Sequence, residues 1–484
     1  MSGRDRRSAA ACPCSAARES LYTPVHVVEL DLDRPNELRS PGGASPVVPN
    51  GRVLALVRLH GHPLGLVHAT GRPGDTAGLC RALVAAAHRE LELPSPELSA
   101  PDLPAARTEP NLTPLLSVVV ATHNRPASLR RCLDSLLRTG YPQLDVVVVD
   151  NAPADDSART LVLTEYPPSV RYLREPIPGL ARAHNRGLAA AHGTLVAFTD
   201  DDTVVDRGWP RALVATFAAD PAVGCVTGLI VPAELETQAQ VALENHGGYT
   251  KGFTEQRWSL DAPPDEPLFP FAGGQFGSGA NMAFRADLLH RLGGFDPATG
   301  TGTLARGGDD LLAFFRTLIA GAALVYQPDA IVWHHHHRTM DALPAQAYGY
   351  GVGFGAYLTA AVAHEPAMLP ALLRRVPLGL GQAVRRARSR PAPTGPGAGR
   401  QTHGRLTGLE LRGLAYGPLG YLRSCLRARR DGIPHIAARL PSGAASGAQS
   451  GSQSAPASGP VSGPVSGHAS GPTNGPMSGP PYGR

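Results

Sequence analysis

Two kinds of apolar spacing alternate along the chain and divide it. From Tyr22 the spacing of Val25, Val27, Leu30 and Leu32 predicts a half-buried strand. After a Pro/Gly-rich gap, Val53–Leu59 and Leu64–Val67 flank His60-Gly61-His62-Pro63, which predicts a hairpin. Residues 76–91 place Leu79, Leu83, Ala86 and Leu91 near one face of an amphipathic helix. Residues 21–92 thus read as a small α/β unit, behind a polar stretch, 1–20, expected to be disordered.

A proline-rich linker covers 93–114. Leu115–Ala121 is then a continuous apolar run, the pattern of a parallel strand covered on both faces. A helix is predicted over 128–137, with Leu129, Leu133, Leu136 and Leu137 facing inward. Strands at 145–149, 170–174 and 194–198 alternate with helices near 155–165 and 180–191. Strand, helix, strand in this order predicts an α/β architecture with parallel strands and right-handed crossovers. This α/β domain is predicted to span 115–345. Residues 346–440 read as a basic helical region, with Arg374, Arg375, Arg423, Arg427, Arg429 and Arg430 facing few acids. The Ser/Gly/Pro repeat of 441–484 has too little apolar surface to fold and is expected to be a disordered tail.

Composition removes several chemistries. Lys251 is the only lysine of 484 residues and lies in GGYTKGF, so no P-loop is present and a Schiff-base enzyme would have no other candidate. The six cysteines are scattered, and the Cys12–Cys14 pair has no second pair to complete a zinc site. That density fits a reducing compartment. With no apolar core near the start and no segment apolar enough to span a bilayer, a cytoplasmic protein is expected, soluble or peripherally attached.

In open α/β sheets ligands bind beyond the carboxyl ends of the strands, where the strand order reverses. Here those ends carry Thr122-His123-Asn124-Arg125-Pro126, Asp150-Asn151 and Thr199-Asp200-Asp201-Asp202. The floor is acidic, not the Gly-x-Gly-x-x-Gly of a dinucleotide site. Adjacent carboxylates ~4 Å apart repel by about 1–4 kcal/mol a pair, depending on screening. A hard divalent cation removes that repulsion and bridges to a nucleotide diphosphate. An acidic turn after a buried strand is the plain alternative.

These residues carry a resemblance. Residues 115–340 resemble family 2 glycosyltransferases of the GT-A fold. The match runs through Ser117–Arg125, Val147–Asn151, Ala181–Gly187, Phe198–Asp202, Leu292-Gly293-Gly294-Phe295-Asp296 and Gly307-Gly308-Asp309-Asp310. The resemblance implies an inverting, metal-dependent transferase in polysaccharide or cell-wall synthesis. It would move a sugar from a UDP-, dTDP- or GDP-linked donor to a glycan, lipid-linked or small-molecule hydroxyl. Thr122, Asn124, Arg125 and Asp150 would hold the base, and Asp200 and Asp201 the ribose and sugar. Asp202 would ligate Mg2+ or Mn2+. Gly308-Asp309-Asp310 stands where the family has Gly-Glu-Asp, which makes Asp310 the catalytic base and puts Asp309 in place of the glutamate. From its sequence position, Asp309 could also cap the helix beginning LLAFFRTLI. Of His334–His337, the family pattern favours His334 as a further metal ligand, with His336 second.

Arg182 and Asn185 open a helix after Pro178-Gly179, a place suited to a phosphate or base. Phe276–Met282 is expected to line the sugar or acceptor pocket, and Gly300–Gly308 to form a loop that closes over the donor. Gly349–Leu358, with the arginines downstream, predicts an amphipathic surface for an anionic membrane. A sugar-1-phosphate nucleotidyltransferase would need a basic Gly-rich loop where ATHNRPASL stands. A non-catalytic glycan-binding protein would not need Asp150, Asp202 and Asp310 together. The arginines lack the interleaved aromatics of a nucleic-acid binder.

Overall fold

The computed structural model describes residues 24–43, 45–93, 113–389 and 399–432. The stretches expected to be disordered at 1–20 and 441–484, and most of the linker, lie outside the described residues.

The first unit is a four-stranded sheet. It comprises β1 (Val25–Asp31), β2 (Leu38–Arg39), β3 (Gly51–Leu59) and β4 (His62–Gly71), in the order β2-β1-β3-β4. The hairpin turns through two residues, His60 and Gly61, both at positive φ (50° and 81°), as the twist of a tight hairpin requires. Helix α1 (Thr76–Glu90) covers one face through Leu79, Leu83 and Ala86. The other face, with Val25, Val27, Leu54 and Leu56, joins the core of the larger sheet beside Leu235 and Trp258.

That larger sheet begins with β5 (Leu116–Thr122), α2 (Pro126–Arg138), β6 (Leu144–Asn151), α3 (Ser157–Glu165), β7 (Val170–Glu175), α4 (Leu180–Ala190) and β8 (Leu195–Asp200). The chain steps outward from β5 to β6 to β7, then returns to set β8 on the opposite side of β5, all parallel. The order reverses between β5 and β8, so Thr122–Arg125 and Asp200–Asp202 face one another across that point. Every residue of β5 is buried, as expected of a strand covered by helices on both faces. Helix α2 buries Leu129, Leu133 and Leu136, but Leu137 is 39% exposed and does not belong to the inner face. Leu137 follows Leu136 by one residue, about 100° around the helix, and the turn toward the core is already filled.

The second half of the sheet mixes directions. It contains β9 (Thr203–Val205), α5 (Trp209–Ala219), β10 (Val223–Pro232), α6 (Gln238–Gly247), β11 (Gln256–Trp258), α7 (Gly273–Phe276), β12 (Met282–Arg285), α8 (Ala286–Arg291), α9 (Asp309–Ile319) and β13 (Ala323–His334). Strand β12 runs antiparallel between β8 and β10, and β13 pairs with β10, β11 and β9. Residues 330–333 are the end of this twelve-residue strand, fully buried up to His334.

Three helices follow: α10 (Ala342–His364), α11 (Leu369–Ser389) and α12 (Gly399–Arg430). Helices α10 and α12 pack backbone to backbone. A Cβ at Gly351 would overlap the Glu410 carbonyl, and one at Gly417 would stand 2.6 Å from Ala356 N. Segment 349–358 is therefore a packing seam. Val352, Ala356 and Tyr357 are buried, which corrects the reading of this stretch as an amphipathic membrane surface. The seam is tied to the larger sheet's domain at Asp296, whose Oδ2 accepts from Tyr421 Oη (2.8 Å) and lies 2.9 Å from His364 Nε2.

Candidate active site

The reversal point gathers acids and a histidine. Asp200, Asp202 and His334 each offer a ligand atom, all within 4.8 Å of one another. The pairing of β9 with β13 sets His334 opposite Thr203, one residue beyond Asp202, and His335 N donates to Asp202 O (2.9 Å). His334 Nε2 lies 3.3 Å from Asp202 Oδ1. That oxygen is buried, and besides this contact with His334 it has no hydrogen-bond partner. Two carboxylates and an imidazole nitrogen suit Mg2+ or Mn2+, and the unpartnered oxygen is what a bound cation would satisfy.

Electrostatics agree with a cation-ready cluster. Burial, then the neighbouring Asp202, pushes Asp200 up to about 7. Burial also works against charge on Asp202, but His334 and Arg125 outweigh it and hold that carboxyl well below the usual range. For His334, burial disfavours the cation, yet Asp202 and Asp200 raise its pKa overall. Asp201 faces elsewhere: Thr122 Oγ1 donates to its Oδ2 (2.7 Å) and Arg125 Nη1 to its Oδ1 (3.2 Å). Burial, then Asp202, still raises Asp201 to about 6. Arg125 also donates to Asp202 Oδ2 (2.9 Å) and borders a cavity of about 560 Å³ lined in part by Asp202, His335 and His337.

The structure treats the other predicted residues unequally. Asp150 ends β6 with Oδ2 accepting from Tyr172 Oη (2.9 Å), while its buried Oδ1 has no partner. Asn124 sits at φ 56° and its Oδ1 accepts from Ala154 N (2.8 Å), which shapes the loop. Arg182 is 8% exposed. Its Nη2 reaches Asp431 (3.2 Å), but Nε and Nη1 are buried without hydrogen-bond partners. Asn185 is not among the groups turned to a ligand. Its amide donates to Phe295 O and accepts from Phe295 N (both 2.8 Å), pinning the 293–295 turn.

Helix α9 begins at the pair Asp309-Asp310. The cap position belongs to Gly308, in the left-handed region at φ 87°, so Asp309 is the first helical residue and not the cap. A Cβ at Gly308 would stand 2.6 Å from Gly353 O of α10. Asp309 is buried, and its Oδ2 lies 3.4 Å from Nδ1 of buried His184. Asp310 accepts from Gly279 N at Oδ2 (2.9 Å) and from Leu311 N at Oδ1 (2.8 Å). Burial, then Asp309, pushes Asp310 up to about 6. Segment 276–282 therefore meets Asp310. Residues 300–308 form a closed turn in which Gly300 N donates to Gly307 O (3.1 Å).

His184, Tyr172 and Glu244 were not singled out from the sequence. His184 lies within the ARAHNRG stretch, but nothing there distinguishes it from a core residue. Glu244 sits on α6 and reaches the site through His336.

Residues 117–293 match the family described as Glycosyl transferase family 2. Pre-mycofactocin glycosyltransferase of Mycobacterium tuberculosis (strain CDC 1551 / Oshkosh) is 30% identical over 263 residues, covering 53% of this chain and 50% of that protein. Glycosyltransferase GlyA of Streptococcus pneumoniae serotype 4 is 30% identical over 113 residues, 22% of this chain and 16% of that one. The chain thus spans half the length of the first of these relatives, and less of the second. Among solved structures, the mannosyltransferase PcManGT from Pyrobaculum calidifontis, in complex with GDP-Man and Mn2+, is 22% identical. It covers 66% of this chain and 88% of its own, with a TM-score of 0.37. Residues 117–293 of this chain are a glycosyl transferase family 2 domain.

Proposed function

We propose that the protein is an inverting, metal-dependent glycosyltransferase that moves a sugar from a nucleoside-diphosphate donor to an acceptor hydroxyl. The observation that carries this reading is the Asp200–Asp202–His334 cluster, with its unpartnered buried oxygen, at the strand reversal of a family 2 domain. Asp202 and His334, joined by Asp200, hold Mg2+ or Mn2+, which supplies positive charge to the departing diphosphate. Asp150 Oδ1 accepts an N–H from the donor's base. The unpartnered nitrogens of Arg182 hold a phosphate oxygen. Thr122 and Arg125 fix Asp201, and with it the turn that aims Asp200 and Asp202.

Asp310 takes the proton from the acceptor hydroxyl at Oδ1, leaving the oxygen to attack the anomeric carbon from the face opposite the diphosphate. The carbon–oxygen bond to the diphosphate breaks, and the configuration inverts. Asp309 stays paired with His184 and raises the basicity of its neighbour. The donor is UDP-, dTDP- or GDP-linked, and the acceptor is a glycan, a lipid-linked sugar or a small molecule. A lipid-linked acceptor at an anionic, cytoplasm-facing membrane is favoured by α11. That helix exposes Leu369, Leu373, Val376 and Leu378 beside Arg374. Among the described residues no helix is long and apolar enough to cross a bilayer. Equal sedimentation with and without anionic vesicles would remove the membrane from this proposal.

Thermal unfolding with nucleoside diphosphates, with and without Mn2+, tests the site. Ligand at ~100 times its Kd adds about 2.7 kcal/mol to the folded state. Stabilisation by UDP, dTDP or GDP should need the metal and vanish in Asp202→Ala. Metal-independent stabilisation, unchanged in that variant, refutes the proposal.

A further inference from the structure

The imidazole of His334 is held by a relay that ends on a different helix. Its Nδ1 lies 3.1 Å from His336 Nδ1, and His336 Nε2 lies 3.1 Å from Glu244 Oε2. Both His336 and Glu244 are buried, at 4% and 6% exposure. Tyr249 stacks on His336 with ring centroids 5.7 Å apart and flanks His334 at 5.2 Å. Gln240 Nε2 donates to the His336 carbonyl (3.3 Å). The start of α6 is itself locked by a capping box between Thr237 and Gln240.

Two imidazole nitrogens at hydrogen-bond distance must share one proton between them, and a carboxylate can only accept. Glu244 therefore places the proton of a neutral His336 on Nε2 and leaves its Nδ1 bare. His334 must then donate from Nδ1, and its Nε2 is left with a lone pair. That lone pair faces Asp202 Oδ1, itself without a hydrogen bond. Two electron pairs aimed at one gap are what a cation needs.

We infer that Glu244 and His336 are positioning residues which, by hydrogen bonding in series, fix His334 in the tautomer whose Nε2 binds the divalent cation. The inference rests on the metal site proposed above and extends it outward. Partners of this kind typically carry 10–100-fold in metal affinity. Glu244 is 90 residues from His334 and has no motif around it, so this role is not legible along the chain.

Mn2+ affinity of the full chain is measured by the electron paramagnetic resonance of the free ion. Glu244→Ala and His336→Leu are expected to weaken binding about 10–100-fold. Glu244→Gln should stay within about threefold, because its Oε1 still accepts from His336 Nε2. The thermal midpoint in chelator shows whether each variant folds. Should Glu244→Ala not fold, nitrogen-15 imidazole spectra of the Mg2+-loaded wild-type protein decide the matter. A proton on Nδ1 and none on Nε2 of His334 is expected, and a proton on Nε2 overturns the inference. If wild-type binds Mn2+ and Asp202→Ala does not, but Glu244→Ala and His336→Leu bind as wild-type, the relay is refuted and the metal site stands. If wild-type binds no better than Asp202→Ala, site and relay fail together.

Discussion

Arg58 ties the N-terminal sheet to the larger sheet. From β3 its guanidinium reaches Asp206 at 2.7 Å and 3.3 Å and Glu29 at 3.1 Å, all three groups nearly buried. Burial works against its charge, but Asp206 and Glu29 outweigh this and raise its pKa. Burial holds Glu29 at about 7 even with the arginine beside it. Arg58→Met fills the space but leaves two buried carboxylates without a counter-charge. Removing one partner of a buried pair costs about 3–5 kcal/mol. Without Arg58 both acids acquire folded pKa values above their unfolded ones, so the loss grows as pH rises through neutrality and shrinks toward pH 5. Urea unfolding followed by tryptophan fluorescence reads this directly, because Trp209, whose N–H donates to Asp206 O (3.1 Å), is fully buried next to the cluster. Neutralising the acids as well, in Arg58→Met with Glu29→Gln and Asp206→Asn, should recover all but ~1 kcal/mol. A loss under ~1 kcal/mol at pH 8, or one independent of pH, would refute the account of a charge-linked interface.

The remaining predictions concern turnover and packing. Asp310 must be ionised to accept a proton, so kcat/KM should fall tenfold per pH unit below about 6. Asp310→Asn should lose about 10²–10⁴ in rate, keep metal-dependent nucleotide binding, and show no such acid limb; surviving turnover would dismiss it as the base. Chelator should abolish sugar transfer reversibly, and transfer that persists in EDTA would remove the cation from the mechanism. Gly417→Leu should cost at least the ~1–3 kcal/mol of an overpacked core, read as a lower thermal midpoint, since its Cβ alone would reach 2.6 Å from Ala356 N. An unchanged midpoint would mean that α12 docks loosely.

The first half of the catalytic sheet could be read from the chain because its signal is local. A buried parallel strand such as Leu116–Thr122 is apolar at every position, and each strand end delivers its polar residues directly to the crevice. Asp202 and His334 could be paired in advance only through the family resemblance. Their meeting depends on β13 lying against β9, a pairing between segments 130 residues apart. Asn185 and Asp309 show the limit. Both stand at positions where a ligand contact is plausible, yet one side chain pins Phe295 and the other meets His184. The glycines of 349–358 were open to several readings because a residue without a side chain carries no polarity to assign. The facing backbone of α12 explains Gly351 and Gly355, and the Gly307–Gly308 turn explains Gly353.

That backbone contact reaches further than packing. The carbonyl of Gly353 stands so close to Gly308 that the first turn of α9, with both of its acids, rests on α10. Asp431, just past α12, reaches Arg182. Chimeras cut just after β13 would therefore carry Asp309 and Asp310 on a helix with nothing beneath its first turn. Any grafting of this domain onto another chain has to carry the pair of C-terminal helices along with it.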